Sequence, residues 1–151
     1  MAGIFIDRKY SSICTKLVDD KIINTGERIF KIYMDLAIFA AMVAVNKGKT
    51  ALENTGPEIP ESVFLNNQKE GLIYLIALLD TKDPYILKDD KMCWKIFQEY
   101  VNTGMSEISG WLIENPTDIT GVDTLLNCIA FKAVGLLDMH RDMGEIPIID
   151  F

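Results

Sequence analysis

The chain has 151 residues, 49% of them hydrophobic and 25% charged, the balance of a globular domain and not of a disordered segment. Fifteen lysines and arginines stand against 22 acidic residues, a formal net charge of −7, which repels a phosphate backbone at long range and argues against indiscriminate nucleic-acid binding. The 3 cysteines are far apart and odd in number, so they make neither a disulfide framework nor a CxxC metal pair, and the single histidine excludes paired-histidine zinc designs.

In chain order, Gly3 to Ile6 is short and β-prone and reads as an extended arm; it meets Asp7 too soon to be a signal peptide. Tyr10 to Leu17 is predicted as a short helix. The most informative stretch follows: Ile29 to Val45 is a helix-length apolar run whose last part, Leu36 to Val45, carries no charge. Thr25 and Glu27 suit its start, by capping and by the helix dipole, and Lys47-Gly48-Lys49 suits its end. Lys31 and Asp35 leave too few uninterrupted apolar residues to cross a bilayer. The run is therefore expected to be the central element of an all-helical core.

Thr50 to Pro60, with two prolines, reads as a loop, and Pro60 to Phe64 as one helical turn. Gln68 to Leu79 is a strongly apolar helix ended by Asp80 to Pro84, and Tyr85 to Leu87 a brief turn. Asp89-Asp90 opens the clearest amphipathic helix. Trp94, Phe97, Val101, Met105, Ile108, Trp111 and Leu112 share one face, while Gln98, Glu99 and Asn102 fall on others, and Gly104 marks a bend or break. Both tryptophans read as core anchors. Asn115-Pro116 stops this helix, and a Thr120–Asp123 capping box starts another along Val122, Leu125, Leu126, Ile129, Ala130, Ala133 and Leu137. After Met139 the tail is expected to be extended.

The fold class expected is all-α: one domain over residues 1–151, a bundle of four main helices plus short ones, with extended N- and C-terminal arms.

The chemistry is sparse. Gly48-Lys49-Thr50 ends like a P-loop, but the glycine required five residues earlier is Val43, and a helix precedes it where a strand is needed. Cys14, Cys93 and Cys128 lie in or near apolar helix faces, where burial silences a thiol, and His140 sits in a polar segment. Asp80, Asp83, Asp89 and Asp90 lack the alternate spacing of a calcium loop and are better read as helix caps.

Phe39-Ala40-Ala41, Lys47-Gly48-Lys49, the apolar helix from Leu72 to Asp80, Glu99-Tyr100-Val101-Asn102-Thr103-Gly104-Met105 and Trp111-Leu112 occur in an order that resembles the small Dnd-system-associated proteins encoded beside bacterial DNA phosphorothioation genes. The likeness covers residues 29–113 and departs from the family pattern at Ala44 and Thr103, where glycine is expected. It implies a bacterial, cytoplasmic protein tied to a DNA-modification or restriction system. It supplies no catalytic residues.

Glu99, Tyr100, Asn102 and Gly104 combine a carboxylate, an amphipathic ring, an amide and a flexible point. Such a set fixes a helix bend or forms a recognition surface, and the structural role is the better account because buried polar groups must find partners. The function expected is a non-enzymatic accessory protein working through protein partners, with no cofactor, no metal, no membrane contact, and homodimerisation left open. The alternative is a nucleic-acid-binding module that senses modified DNA, with Lys47, Lys49 and Lys69 as phosphate contacts.

Overall fold

Ile4, Phe5 and Ile6 form the middle of strand β1 (Gly3–Asp7), as their β-branched and aromatic side chains favour. In the computed structural model, which describes residues 3–22 and 25–142 with side chains at the C-terminal end as far as Asp138, this strand is not a free arm. It pairs antiparallel with β2 (Thr55–Pro60), Ile4 opposite Ile59 and Asp7 opposite Thr55, with a bulge between Phe5 and Asp7. The protein is thus mostly helical with a small two-stranded sheet, not strictly all-α. The prolines that suggested a loop sit in β2, whose other edge has no strand beside it among the described residues. Proline is tolerated on such an edge because its missing N–H takes no ladder hydrogen bond.

Among the described residues the helices are α1 (Ser11–Cys14), continued by a π-helical turn over Thr15–Asp19, α2 (Tyr33–Ala44), α3 (Glu61–Asn66), α4 (Glu70–Thr81), α5 (Asp90–Glu114) and α6 (Val122–Asp142). Short 3₁₀ turns occupy Arg8–Tyr10 and Pro84–Lys88. Four of these helices are long, as expected.

Helix α2 starts later than its apolar run. The Phe30 N–H donates to the Leu17 carbonyl at 3.0 Å, which holds that part of the run outside the helix, and no side chain caps Ile32. Thr25 Oγ1 accepts from the Glu27 N–H at 3.3 Å and so fixes a local turn instead of the helix start. At the far end the helix closes before Gly48, whose φ of 95° suits glycine.

The described residues pack as two compact units, divided between Gly110 and Trp111. In the first, Leu36, Ala37, Ala40, Ala41 and Ala44 of α2 are fully buried, as are Phe64, Ile73, Trp94, Phe97 and Val101. Phe64 meets Trp94 and Phe97 edge-on, with ring centroids 5.3 and 5.6 Å away, the arrangement aromatic quadrupoles prefer. Helix α5 passes through Gly104 without a break, and the reason for glycine is contact, not bending. A Cβ there would lie 1.8 Å from the Ala40 carbonyl oxygen, so α2 and α5 cross backbone to backbone.

In the second unit, Asp118 caps α6, and Thr120 Oγ1 assists by accepting from the Val122 N–H at 3.3 Å. The Asp118 carboxylate accepts from the N–H groups of Gly121 (3.1 Å) and Thr124 (2.8 Å) and from the Thr124 hydroxyl (2.7 Å). Trp111 is only half-buried and carries Lys132 over its ring at 5.8 Å, so of the two tryptophans only Trp94 anchors a core. The helix runs on to Asp142, which replaces part of the expected extended tail; residues 143–151 lie outside the described residues.

The crossing at Gly104 makes a sharp prediction. Gly104→Ala should lower the thermal midpoint by roughly 5–10 °C, because the added methyl runs into the Ala40 backbone of α2. Gly110→Ala, where a Cβ meets nothing within 4 Å, should leave the midpoint unchanged or raise it slightly. Paired melting curves check both.

Candidate functional site

The conspicuous polar motif on α5 turns inward. Gln98 and Asn102 are one turn apart and present their amides to the edge of β1 that β2 leaves open. Gln98 Oε1 accepts from the Phe5 N–H at 2.9 Å, and Asn102 Oδ1 accepts from the Asp7 N–H at 2.9 Å. Asn102 Nδ2 donates to the carbonyls of Phe5 (3.3 Å) and Gln98 (3.0 Å). Two side chains thus stand in for a third strand. Asn102 is buried and Gln98 half-buried, although both fall off the apolar face of α5.

Asp7 completes the knot. Its buried carboxylate accepts from the N–H groups of Lys9 (3.2 Å), Glu53 (3.0 Å) and Asn54 (3.2 Å). Burial opposes its ionisation, but these three N–H donors and the nearby Lys9 charge outweigh it and hold the carboxyl below the ordinary value of 3.8.

The remaining motif residues close a second knot. Tyr100 donates to Asp80 Oδ1 at 2.7 Å, and Lys49 Nζ meets Asp80 Oδ2 at 2.7 Å. Burial raises the Asp80 carboxyl, and the hydrogen bonds from Lys49 and Tyr100 more than compensate, so it too is held low. Burial and the facing carboxylate push the Tyr100 phenol up to about 12. Glu99 contributes its backbone: its carbonyl accepts from the Thr50 N–H (3.2 Å) and the Thr103 hydroxyl (3.2 Å). Thr103 and Thr50 hydroxyls lie 2.8 Å apart. Of the four motif residues, then, Tyr100, Asn102 and Gly104 lock neighbouring segments through their side chains or lack of one, and Glu99 through its main chain.

The three lysines expected to contact phosphate are not brought together as free cations. Lys47 pairs with Glu107 at 3.2 Å and Lys49 with Asp80, while Lys69 is exposed just ahead of α4. Instead Lys21, Arg28 and Lys31, with Gly26 and Glu27, line a surface cavity of about 510 Å³. No motif marks this group, because its cations are scattered along an irregular segment.

The other acidic candidates are spent locally. Asp83 Oδ1 caps the 3₁₀ turn through the Tyr85 N–H (3.0 Å), Asp89 Oδ1 caps α5 through the Met92 N–H (3.0 Å), and Asp90 accepts from the Tyr74 hydroxyl. Among the described residues no group of three or more histidine, cysteine or acidic residues is arranged to hold a metal ion. Burial pushes the Cys14 thiol up to about 12 and raises those of Cys93 and Cys128, with neighbouring acids adding to each. The His140 side chain lies outside the described residues. No helix among the described residues is long and apolar enough to cross a membrane.

These features define a small, mostly helical protein whose signature polar residues fix strand to helix. Residues 9–134 match the family model of DNA sulphur modification system-associated protein 4, and the chain belongs to that family. Neither a curated protein nor a solved structure matches it.

The Asp7 knot has a pH signature. Because its folded-state pKa lies below the unfolded value of 3.8, its contribution is complete above that value and fades as pH falls through the folded one. Asp7→Asn should cost about 1–3 kcal/mol at pH 7. The gap between variant and wild type should narrow as pH drops below 4. Denaturant melts at pH 7, 5 and 3 measure it.

Proposed function

We propose that this chain is a non-enzymatic accessory protein of a bacterial DNA phosphorothioation-linked modification or restriction (phage-defence) system, acting in the cytoplasm by contact with a protein partner. Family membership supports the system, and one observation supports the mode of action. The polar side chains of Tyr100 and Asn102 are consumed inside the fold, whereas large apolar side chains between Leu65 and Met92 face water. Leu75 and Leu79, a single turn apart on α4, are 47% and 53% exposed, and Tyr85 and Leu87 of the following 3₁₀ turn are exposed as well. Scattered exposed leucines need no explanation, but several within one short stretch mark a surface for contact.

Tagged chain at native level should recover a defined component of the system, and Leu75→Glu with Leu79→Glu should abolish that recovery while leaving the circular dichroism unchanged. Repeated recovery of the wild-type chain alone overturns the proposal.

The cavity lined by Lys21, Arg28 and Lys31 favours a second reading, a module that contacts the phosphates of modified DNA. It offers three cations at one place in an acidic chain, and Lys47 and Lys49 already hold carboxylates. Titration against phosphorothioated and plain duplex at low salt should then give a salt-sensitive complex that Lys21→Glu with Arg28→Glu weakens roughly tenfold or more. Absence of any salt-dependent complex removes it.

A further inference from the structure

Helix α6 carries an apolar stripe that the rest of the second unit does not use. Val122, Leu126, Ile129, Ala133 and Leu136 are spaced by four, three, four and three residues, which keeps them on one line of the helix. Leu126, Ile129 and Leu136 are 60%, 44% and 56% exposed. The helix makes its own contacts on a different face, where Thr124 holds Asp118 and Lys132 lies over Trp111. At about 100° per residue that face is roughly a third of a turn from the stripe.

We propose that the stripe pairs with the same stripe of a second copy of this chain, the two α6 helices lying antiparallel about a two-fold axis beside Asn127 and Cys128. The spacing is that of a two-helix seam. In the antiparallel register that sets Leu126 against the partner's Ile129, Val122 falls against Ala133, and Leu136 lies beyond the start of the partner's helix. Every layer is then apolar, and the pairing is self-complementary, as a two-fold interface requires.

A parallel arrangement would place β-branched Val122 and Ile129 where two-stranded coils take leucine, which disfavours it. The charges Asp123 and Asp138 lie off the stripe. A chain of net charge −7 therefore meets its copy on a neutral line, where self-repulsion is least. The open apolar surface of Leu126, Ile129, Leu136 and Leu137 contributes to the roughly 800 Å² per partner that a specific interface buries. The inference stands apart from the proposed function, because it concerns the purified chain and not its partner in the system.

The full chain at tens of micromolar should show twice its 17.0 kDa mass in light scattering and sedimentation equilibrium. Leu126→Glu should return it to the mass of one copy with helicity retained. Phe131→Glu, 81% exposed on the opposite side of α6, should leave the dimer intact. In a Cys128→Ser background, Leu126→Cys mixed with Ile129→Cys should give covalent dimers on oxidation while neither variant does so alone, which tests the register even if Leu126→Glu fails to fold. A monomeric wild type, a dimer that Phe131→Glu breaks equally, or cross-linking of Leu126→Cys by itself overturns the proposal.

Discussion

The interaction on which the first unit depends is the pair of amides that α5 presents to the open edge of β1. A two-stranded ribbon is marginal in water, since each strand leaves one row of N–H and C=O groups unpaired. Here Gln98 and Asn102 take the N–H groups of Phe5 and Asp7, so the ribbon is anchored to a helix along β1. That anchoring orients Ile4 and Ile6 into the core, where both are fully buried. Removing the Asn102 acceptor would strand a buried donor, which costs more than the hydrogen bond itself contributes.

A second constraint follows from the first. Helix α5 can hold β1 on one side only if its other side lies close to α2, and Gly104 sets that distance by bringing backbone against the Ala40 carbonyl. The segment leaving α2 is then stitched back to α5 at Thr50, through the Glu99 carbonyl and the Thr103 hydroxyl, and at Lys49, through Asp80 and Tyr100. The Glu-Tyr-x-Asn-x-Gly run is therefore a set of staples between elements distant in sequence. Two carboxylates outside the run work the same way: Asp7 gathers three backbone donors, and Asp80 joins a lysine to a phenol.

Much of the helical layout was legible because burying one face of a helix forces the 3.6-residue period into the sequence, as Trp94, Phe97, Val101, Met105 and Ile108 display. What escaped was non-local. Strand β2 was hidden by Pro57 and Pro60, since its partner lies some fifty residues earlier and its prolines suit an edge as well as a loop. A structural role for Asn102 was legible, but not its partner, because helical spacing gives the direction of a side chain and not what waits there. The same holds for Ile29 to Ile32, apolar enough for a helix yet held outside it by one hydrogen bond to Leu17. The cluster of Lys21, Arg28 and Lys31 depends on how an irregular segment turns, which no periodicity encodes.

This division between staples and free surface bears on where function resides. In a small protein a polar group that already holds a buried partner is poorly placed to bind anything else, because engaging a ligand would first break a bond whose loss exposes a desolvated donor or acceptor. A run made of such groups therefore reports the fold of this chain, and says little about its contacts. Contacts must come from groups the fold has left unspent. In this chain those are the exposed leucines and tyrosine that follow α3, the cations around the cavity at Lys21, and the apolar stripe of α6, none of which belongs to the Glu-Tyr-x-Asn-x-Gly run.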